Sequence, residues 1–380
     1  MMKRLISILL LILLLLPSCT PVPMTEDSSD TDPNKGLTDA RPAYKPWDDA
    51  EETALQFLSV QNAIVDCSER AYSYEDMVSD LEALASAHPT RFSYYEFGRS
   101  VLGRALYCAK LGNPSAPKQI LVSAGIHGRE YLTPLLVMKQ MEFYLTYYDT
   151  GDHNGFSYAS LFDEYCFYVV PMTNPDGIMI SQEGISTVMN TALTEAIRTA
   201  YYADFKAGYT DATTLNEYLQ IWKANANCVD LNRNFDARWS EVETGMYRKS
   251  HKNYKGASAA SEPETRAMAE LTEGLPNVQA VLCIHSQGEV LYWDCGQRGS
   301  LRQRTLAFTE SLSHRNGYRV VNEQNNDASF SDYCALEQGL IAVTVETGIG
   351  ACPLEIDQFS TIWSDNYDLF ALSAVFFEVE

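Results

Sequence analysis

The strongest constraint on how this chain can fold is a series of short, almost uninterrupted apolar runs spaced between helical stretches. QILVSAG from Gln119, YCFYVVP from Tyr165, VQAVLCIHS from Val278 and IAVTVE from Ile341 lack the polar alternation of a strand with one face in water. Strands buried on both faces read this way. FSYYEFG near Phe92 and RALYCAKLG from Arg104 are further strand-like runs, set off by Gly, Pro and Ser turns. Ahead of them, Met77, Leu81 and Leu84 recur at helical spacing from Tyr72 to Ala87, and Pro89 stops that helix. Helices are also predicted from Tyr131 to Tyr148, Ala192 to Phe205 and Glu264 to Thr272. The alternation predicts an α/β fold: one large domain with a central mixed, mostly parallel sheet and helices on both faces. Ligands of such sheets gather at the carboxyl ends of the strands.

The N-terminal end is of another kind. Lys3 and Arg4 precede an apolar run, Leu5 to Leu16, that is too short to span a bilayer comfortably, which is the pattern of an export signal. It ends in LPSC, so residues 1–18 read as a lipoprotein signal peptide with Cys19 as the acylated new N-terminus. A plain secretory signal with an incidental cysteine is the other reading, and both imply export. Residues 19–46 are polar and proline-rich, with too few large apolar side chains to bury a core, and read as a disordered tether. Residues 47–71 are expected to form a short helical extension packed on the catalytic domain, which spans 72–380. That extension is too small for an inhibitory prodomain, so activation by cleavage is not expected.

A net charge of −22 offers no basic stripe for a phosphate backbone, so no nucleic-acid partner is expected. The expected setting is a monomer outside a bacterial cell membrane, touching it only through the lipid on Cys19. Of nine cysteines, eight remain beyond Cys19. Cys108, Cys166 and Cys283 lie inside strand-like runs and read as buried thiols, and no CxxC pair suggests a metal held by sulfur.

Chemistry concentrates at two strand ends. GIHGRE directly follows the strand from Gln119, so His127 and Glu130 emerge together, and His285 closes the strand VLCIH. Imidazole and carboxylate both suit zinc, and a catalytic site needs three protein ligands with one position open. An HxxE pair alone occurs by chance, and most histidines are packed or solvated rather than ligands.

The surrounding motifs raise this reading. In order, YSYEDMVSDL, FGRSVLGRALYCAKLGN, AGIHGRE, TNPDG at Thr173, VDLNRNF at Val229, SEPET at Ser261, HSQG at His285 and VETG at Val345 resemble the zinc metallocarboxypeptidases related to carboxypeptidase A. The resemblance runs from about Ala71 to the last residue. HSQGEVLYW and WKANANCVDLNRNF look closer to the bacterial branch that includes γ-D-glutamyl-L-diamino acid endopeptidase I, which acts on cell-wall peptides.

The resemblance implies one Zn2+ held by His127, Glu130 and His285. It also implies Glu346 as general base, with Asn232 and Arg233 gripping a terminal carboxylate and Arg129 as a second substrate contact. Two departures stand out. Where the family places an oxyanion-binding arginine after a tryptophan, Trp222 is followed by Lys223, which keeps the charge but not the fork. The loop NEQNNDASFSDY offers no tyrosine until Tyr333, so the mobile tyrosine of digestive relatives has no clear counterpart; Tyr333 and Tyr318 read as packing residues first.

Asp327, Ser331 and Asp332 in that loop suit a basic guest such as diaminopimelate or lysine, and equally suit turn caps. The stretch between Gly177 and Trp222 is longer than in digestive relatives and reads as a surface excursion or a helical wall of the cleft. The expected activity is hydrolysis of a peptide bond near a free carboxylate in peptidoglycan stem peptides. The alternatives are a broad extracellular carboxypeptidase and a lipoprotein that binds peptides without cutting them.

Overall fold

The structure is a computed structural model that describes residues 49–59, 63–324 and 326–379. The predicted signal segment, Cys19 and the tether lie outside the described residues.

Among the described residues ten strands form in chain order: β1 Phe92–Arg99, β2 Ala105–Leu111, β3 Lys118–Ser123, β4 Asp152–His153, β5 Phe156–Ser157, β6 Tyr165–Val170, β7 Val278–His285, β8 Val290–Tyr292, β9 Arg319–Val321 and β10 Ile341–Glu346. Eight of them make one sheet in the order β1-β2-β6-β3-β7-β10-β8-β9, and β4 and β5 pair as a small separate ribbon. The centre, β6-β3-β7-β10, is parallel, while β1, β2 and β8 join antiparallel. This is the expected mixed, mostly parallel sheet.

Residue parity explains the continuous apolar runs. Ile120, Val122, Phe167, Val169, Leu282, Ile284, Val343 and Val345 face one core, shared with the helices Leu132–Thr146, Phe359–Asn366 and Leu369–Val379. Leu121, Cys166, Tyr168, Val281, Cys283 and Ala342 face the other, against Met268 and Leu271 of the helix Pro263–Gly274 and Phe330 and Cys334 of the helix Phe330–Leu336. Both faces are therefore covered, and neither parity can be polar.

The helix after β3 is buried along fourteen of its residues, including Lys139 and Glu142. Those two charges have assigned partners. Lys139 Nζ donates to Glu142 Oε2 (2.8 Å) and to Val65 O (3.1 Å), and Glu142 accepts the Ile64 and Val65 backbone N–H groups at 2.6 and 3.3 Å. The pair holds the segment that follows the helix Asp49–Phe57 against the domain, while Trp363 Nε1 donates to Ala54 O of that helix at 2.8 Å.

The sequence reading did not single out β8, β9 or the helix Gly299–Asn316. The strands are three residues long and carry no countable period. The helix buries only a narrow stripe of Thr305, Phe308, Thr309, Leu312 and Asn316. A correction concerns the stretch before Trp222, expected first as a plain surface excursion. Its helices Thr191–Ala207 and Leu215–Gln220 pack Ile197, Ala200, Tyr218 and Leu219 into a third core against Trp222, Ala224 and Ala226. All eight described cysteines are free thiols, seven of them buried. Among the described residues no helix is long and apolar enough to cross a membrane.

Phe167 tests the two-sided sheet. Its ring is fully buried and stacks on Phe370 at 5.0 Å between centroids. Phe167→Ala should cost about 3–5 kcal/mol, the usual loss for emptying a buried aromatic site. Equilibrium urea unfolding measures this, and an unchanged midpoint would rule out a packed sheet face at that point.

Candidate metal centre

Three adjacent parallel strands deliver the site. Cα pairing sets Ser123 of β3 opposite Cys283 of β7, and His285 of β7 opposite Glu346 of β10, so all three strands end at one edge. From β3 the chain turns through Gly125 to Glu130 into the helix Leu132–Thr146. Gly125 N donates to Thr133 Oγ1 (3.1 Å), and that hydroxyl donates to Glu130 O (2.9 Å), which ties the turn to the helix start. Gly128 is needed for close approach: a Cβ there would lie 2.3 Å from Gly177 O.

His127, Glu130 and His285 converge and are buried. His127 Nδ1 lies 2.7 Å from Glu130 Oε1 and His285 Nδ1 lies 3.2 Å from Glu130 Oε2. One donor atom from each residue falls within 4.8 Å of the others. Zinc bonds of about 2.0–2.2 Å keep donors roughly 3–3.5 Å apart, so small side-chain movements close this set on one ion.

The chemistry of the set also fits. With Nδ1 of His127 turned to the metal position, its buried Nε2 finds no hydrogen bond of good geometry, although Asp230 Oδ1 stands 3.3 Å away. A carboxylate behind the outer nitrogen is the usual support for a metal-bound imidazole. Burial alone would raise the Glu130 carboxyl, but the two imidazoles that face it override this and hold it below the usual carboxylate range.

Asp230 was missed in the sequence, although it stands at the head of the DLNRNF motif. Its Oδ1 accepts from Asn232 N (3.1 Å) and its Oδ2 from Asn253 N (2.9 Å). One fixed carboxylate thus orients both His127 and the turn carrying Asn232 and Arg233. Burial opposes its charge, yet His127, Arg233 and Lys223 together hold it ionised well below the usual range.

The cleft beside the trio is lined by Lys223, Asn232, Arg233, Asp327 and Glu346, among others. Arg233 is buried, with Nη2 3.5 Å from Asp327 Oδ2, and its Nη1 donates to Asn232 O at 3.0 Å. Asn232 Oδ1 accepts from Phe330 N at 3.1 Å, which turns its amide nitrogen away from that contact. Burial pushes the Glu346 carboxyl above its ordinary value and the Glu130 charge adds to this, while Lys223, His127 and Arg129 offset part of it. Arg129 lies in the metal loop but lines a neighbouring cavity, together with Tyr209, Gln220, His251 and Lys252.

Of the loop residues expected to meet a basic guest, Asp327 and Ser331 line the cleft. Asp332 lines it too, but its Oδ2 accepts from the Asp327 and Ser329 N–H groups (2.9 and 3.0 Å) and from Ser329 Oγ (2.7 Å), as the capping box of the next helix. Its charge is spent on the backbone. Tyr292, Trp293 and Asp294, which had no assigned role, form part of the wall because β8 pairs with β10 and sets Tyr292 opposite Thr344. Tyr333 and Tyr318 are packing residues: the first donates its hydroxyl to Glu273 Oε1 (2.6 Å), and the second accepts from Asn366 Nδ2 (2.8 Å).

A buried His–Glu–His trio at the edge of a parallel sheet, with a carboxylate on the adjacent strand end, defines a single-metal hydrolase. Residues 77–366 match the zinc carboxypeptidase family, and the chain belongs to it. The protein is a zinc metallopeptidase that binds one zinc ion. It is 32% identical to an uncharacterized protein, YqgT, of Bacillus subtilis over 78% of this chain and 75% of that one. It is 30% identical to gamma-D-glutamyl-L-diamino acid endopeptidase 1 of Lysinibacillus sphaericus, over 79% and 71%. The fold matches the crystal structure of thrombin activatable fibrinolysis inhibitor with a TM-score of 0.62, at 17% identity over 85% of this chain and 80% of that one.

Two variants test the donor set. His285→Ala should abolish stoichiometric zinc binding, read by metal analysis of the purified protein, and undiminished zinc would refute the third ligand. Asp230→Asn should weaken zinc about 10- to 100-fold in a chelator competition without unfolding the domain.

Proposed function

We propose that the protein is an exported peptidase that cleaves the bond before a diamino acid bearing a free carboxylate, in stem peptides of peptidoglycan. The observation that carries this reading is the buried Arg233 beside Asp327 in the metal cleft, a cation and an anion 3.5 Å apart. Arginine's planar fork suits the carboxylate of the leaving residue. Asp327 suits the second amino group that a diamino acid carries. The similarity to the Lysinibacillus endopeptidase supports this substrate, and the Lys3–Cys19 leader supports export and a lipid anchor.

Bound zinc supplies a Lewis acid that polarises the scissile carbonyl and acidifies water. Glu346 takes a proton from the attacking water and passes it to the leaving nitrogen as the C–N bond breaks and the C–O bond forms. Lys223 faces the same cleft and supplies positive charge to the oxygen that becomes anionic. Asn232 and Arg233 set the register by holding the carboxylate, so the cut falls one residue before it.

Purified enzyme incubated with peptidoglycan fragments should release diamino-acid products, read by mass analysis. If ordinary peptides lose their C-terminal residues while γ-D-glutamyl-diaminopimelate bonds stay intact, the cell-wall reading is wrong and a broad carboxypeptidase takes its place. Glu346→Gln should lower kcat by about 10²- to 10⁴-fold with zinc still bound at one equivalent. Retained turnover in that variant would exclude Glu346 as the base.

A further inference from the structure

The helices before Trp222 converge on one buried carboxylate that does not line the cleft. Asp204, near the end of the helix Thr191–Ala207, is fully buried. It accepts hydrogen bonds from Tyr218 Oη (2.6 Å), Ser250 Oγ (2.6 Å), His251 Nδ1 (3.0 Å) and Arg248 Nη1. A buried carboxylate is costly without such partners, and four donors from two separate segments hold it. Tyr218 closes the arrangement by accepting the His251 backbone N–H at 3.0 Å.

His251 is the link to the chemistry. Its carbonyl oxygen accepts both Lys223 N (3.0 Å) and Ala224 N (2.9 Å), and Lys223 O in turn accepts Gly128 N at 3.2 Å. Gly128 lies between His127 and Arg129 in the metal loop. A continuous chain of hydrogen bonds therefore runs from Asp204 through His251 to the backbone of Lys223 and on to the metal loop. Lys223 needs such support, because a lysine is a single point charge on a flexible stem and has no planar fork to fix its direction.

We propose that Asp204 is a positioning residue for hydrolysis: it anchors the inserted helices to the His251 segment and thereby fixes the backbone from which Lys223 reaches the cleft. This rests on the reading of Lys223 as the group that meets the developing oxyanion. The helices before Trp222 are then a buttress for that lysine.

A double-mutant cycle tests it, with zinc content and thermal midpoint measured alongside kcat and KM. Asp204→Asn should lower kcat about 10- to 100-fold, as small misplacements of catalytic groups do. KM and the single equivalent of zinc should be little changed. In a Lys223→Ala background, already slow, the same change should cost less than about threefold, because the group it positions is gone. An equal cost in both backgrounds overturns the proposal, as does an unchanged kcat in the single variant. If Lys223→Ala alone leaves kcat intact, the oxyanion reading of that lysine fails and the proposal falls with it, an outcome distinct from the other two. Should Asp204→Asn not fold, Tyr218→Phe removes one donor to the carboxylate and the acceptor for His251 N, and takes its place in the cycle with the same criteria.

Discussion

Everything at this site depends on Glu130 standing between two imidazoles inside the sheet edge. One of its oxygens faces His127 Nδ1 and the other His285 Nδ1, and all three residues are buried. Such a carboxylate is tolerated only because positive charge faces it, whether from protonated imidazole or from a metal ion. The strands carry the consequence. The register that pairs His285 with Glu346, and β3 with β7, cannot slip by one residue without turning an apolar side chain into the trio and a polar one into the core. Core packing and metal geometry are thus the same constraint seen from two ends of the strand.

Charges near the trio are matched in pairs. Asp230 sits behind His127 and also draws on Arg233 and Lys223, Arg233 faces Asp327, and Glu346 has Lys223 and Arg129 within electrostatic reach. In a protein with a net charge of −22, Lys223 and Arg233 thus stand as the two cations of a cleft whose other charged walls are mostly carboxylates. The acidity of the loop from Glu323 to Asp332 is less than its composition suggests, since Asp332 caps a helix and Asp327 has a guanidinium beside it.

The sheet and the trio were legible in the sequence for a physical reason: strands buried on both faces must be continuously apolar, so a histidine or glutamate that ends one of them is conspicuous. His285 and Glu346 have that signature, whereas His127 and Glu130 lie in the turn after β3 and stood out through the AGIHGRE motif that follows the strand. Asp230 did not, because it follows no strand, and its significance lies in contacts to Asn253 and His127 that are remote in sequence. Tyr292 and Trp293 were hidden by the shortness of β8, whose place in the sheet comes from pairing with β10 and not from any period of its own. Asp332 was ambiguous for the opposite reason, since the Ser329–Asp332 spacing of a capping box and the lining of a specificity pocket use the same residue types.

The insertion shows why length alone misleads. A long stretch of this kind reads first as a surface loop, yet Ile197, Ala200, Tyr201 and Asp204 recur at helical spacing and are all buried. Three of them make a hydrophobic face, and the fourth puts a charge in its midst. An unpartnered aspartate there would destabilise the helix it lies on, so its retention requires donors from elsewhere, which Ser250 and His251 supply. Those donors precede Asn253, whose N–H reaches Asp230, and His251 itself carries the Lys223 backbone. The segment from Ser250 to Asn253 is therefore held at one end by the insertion and at the other by the carboxylate that supports a metal ligand. A displacement of the inserted helices would be transmitted to both sides of the cleft through this four-residue span, which ties the insertion to the geometry of catalysis and not only to the stability of the fold.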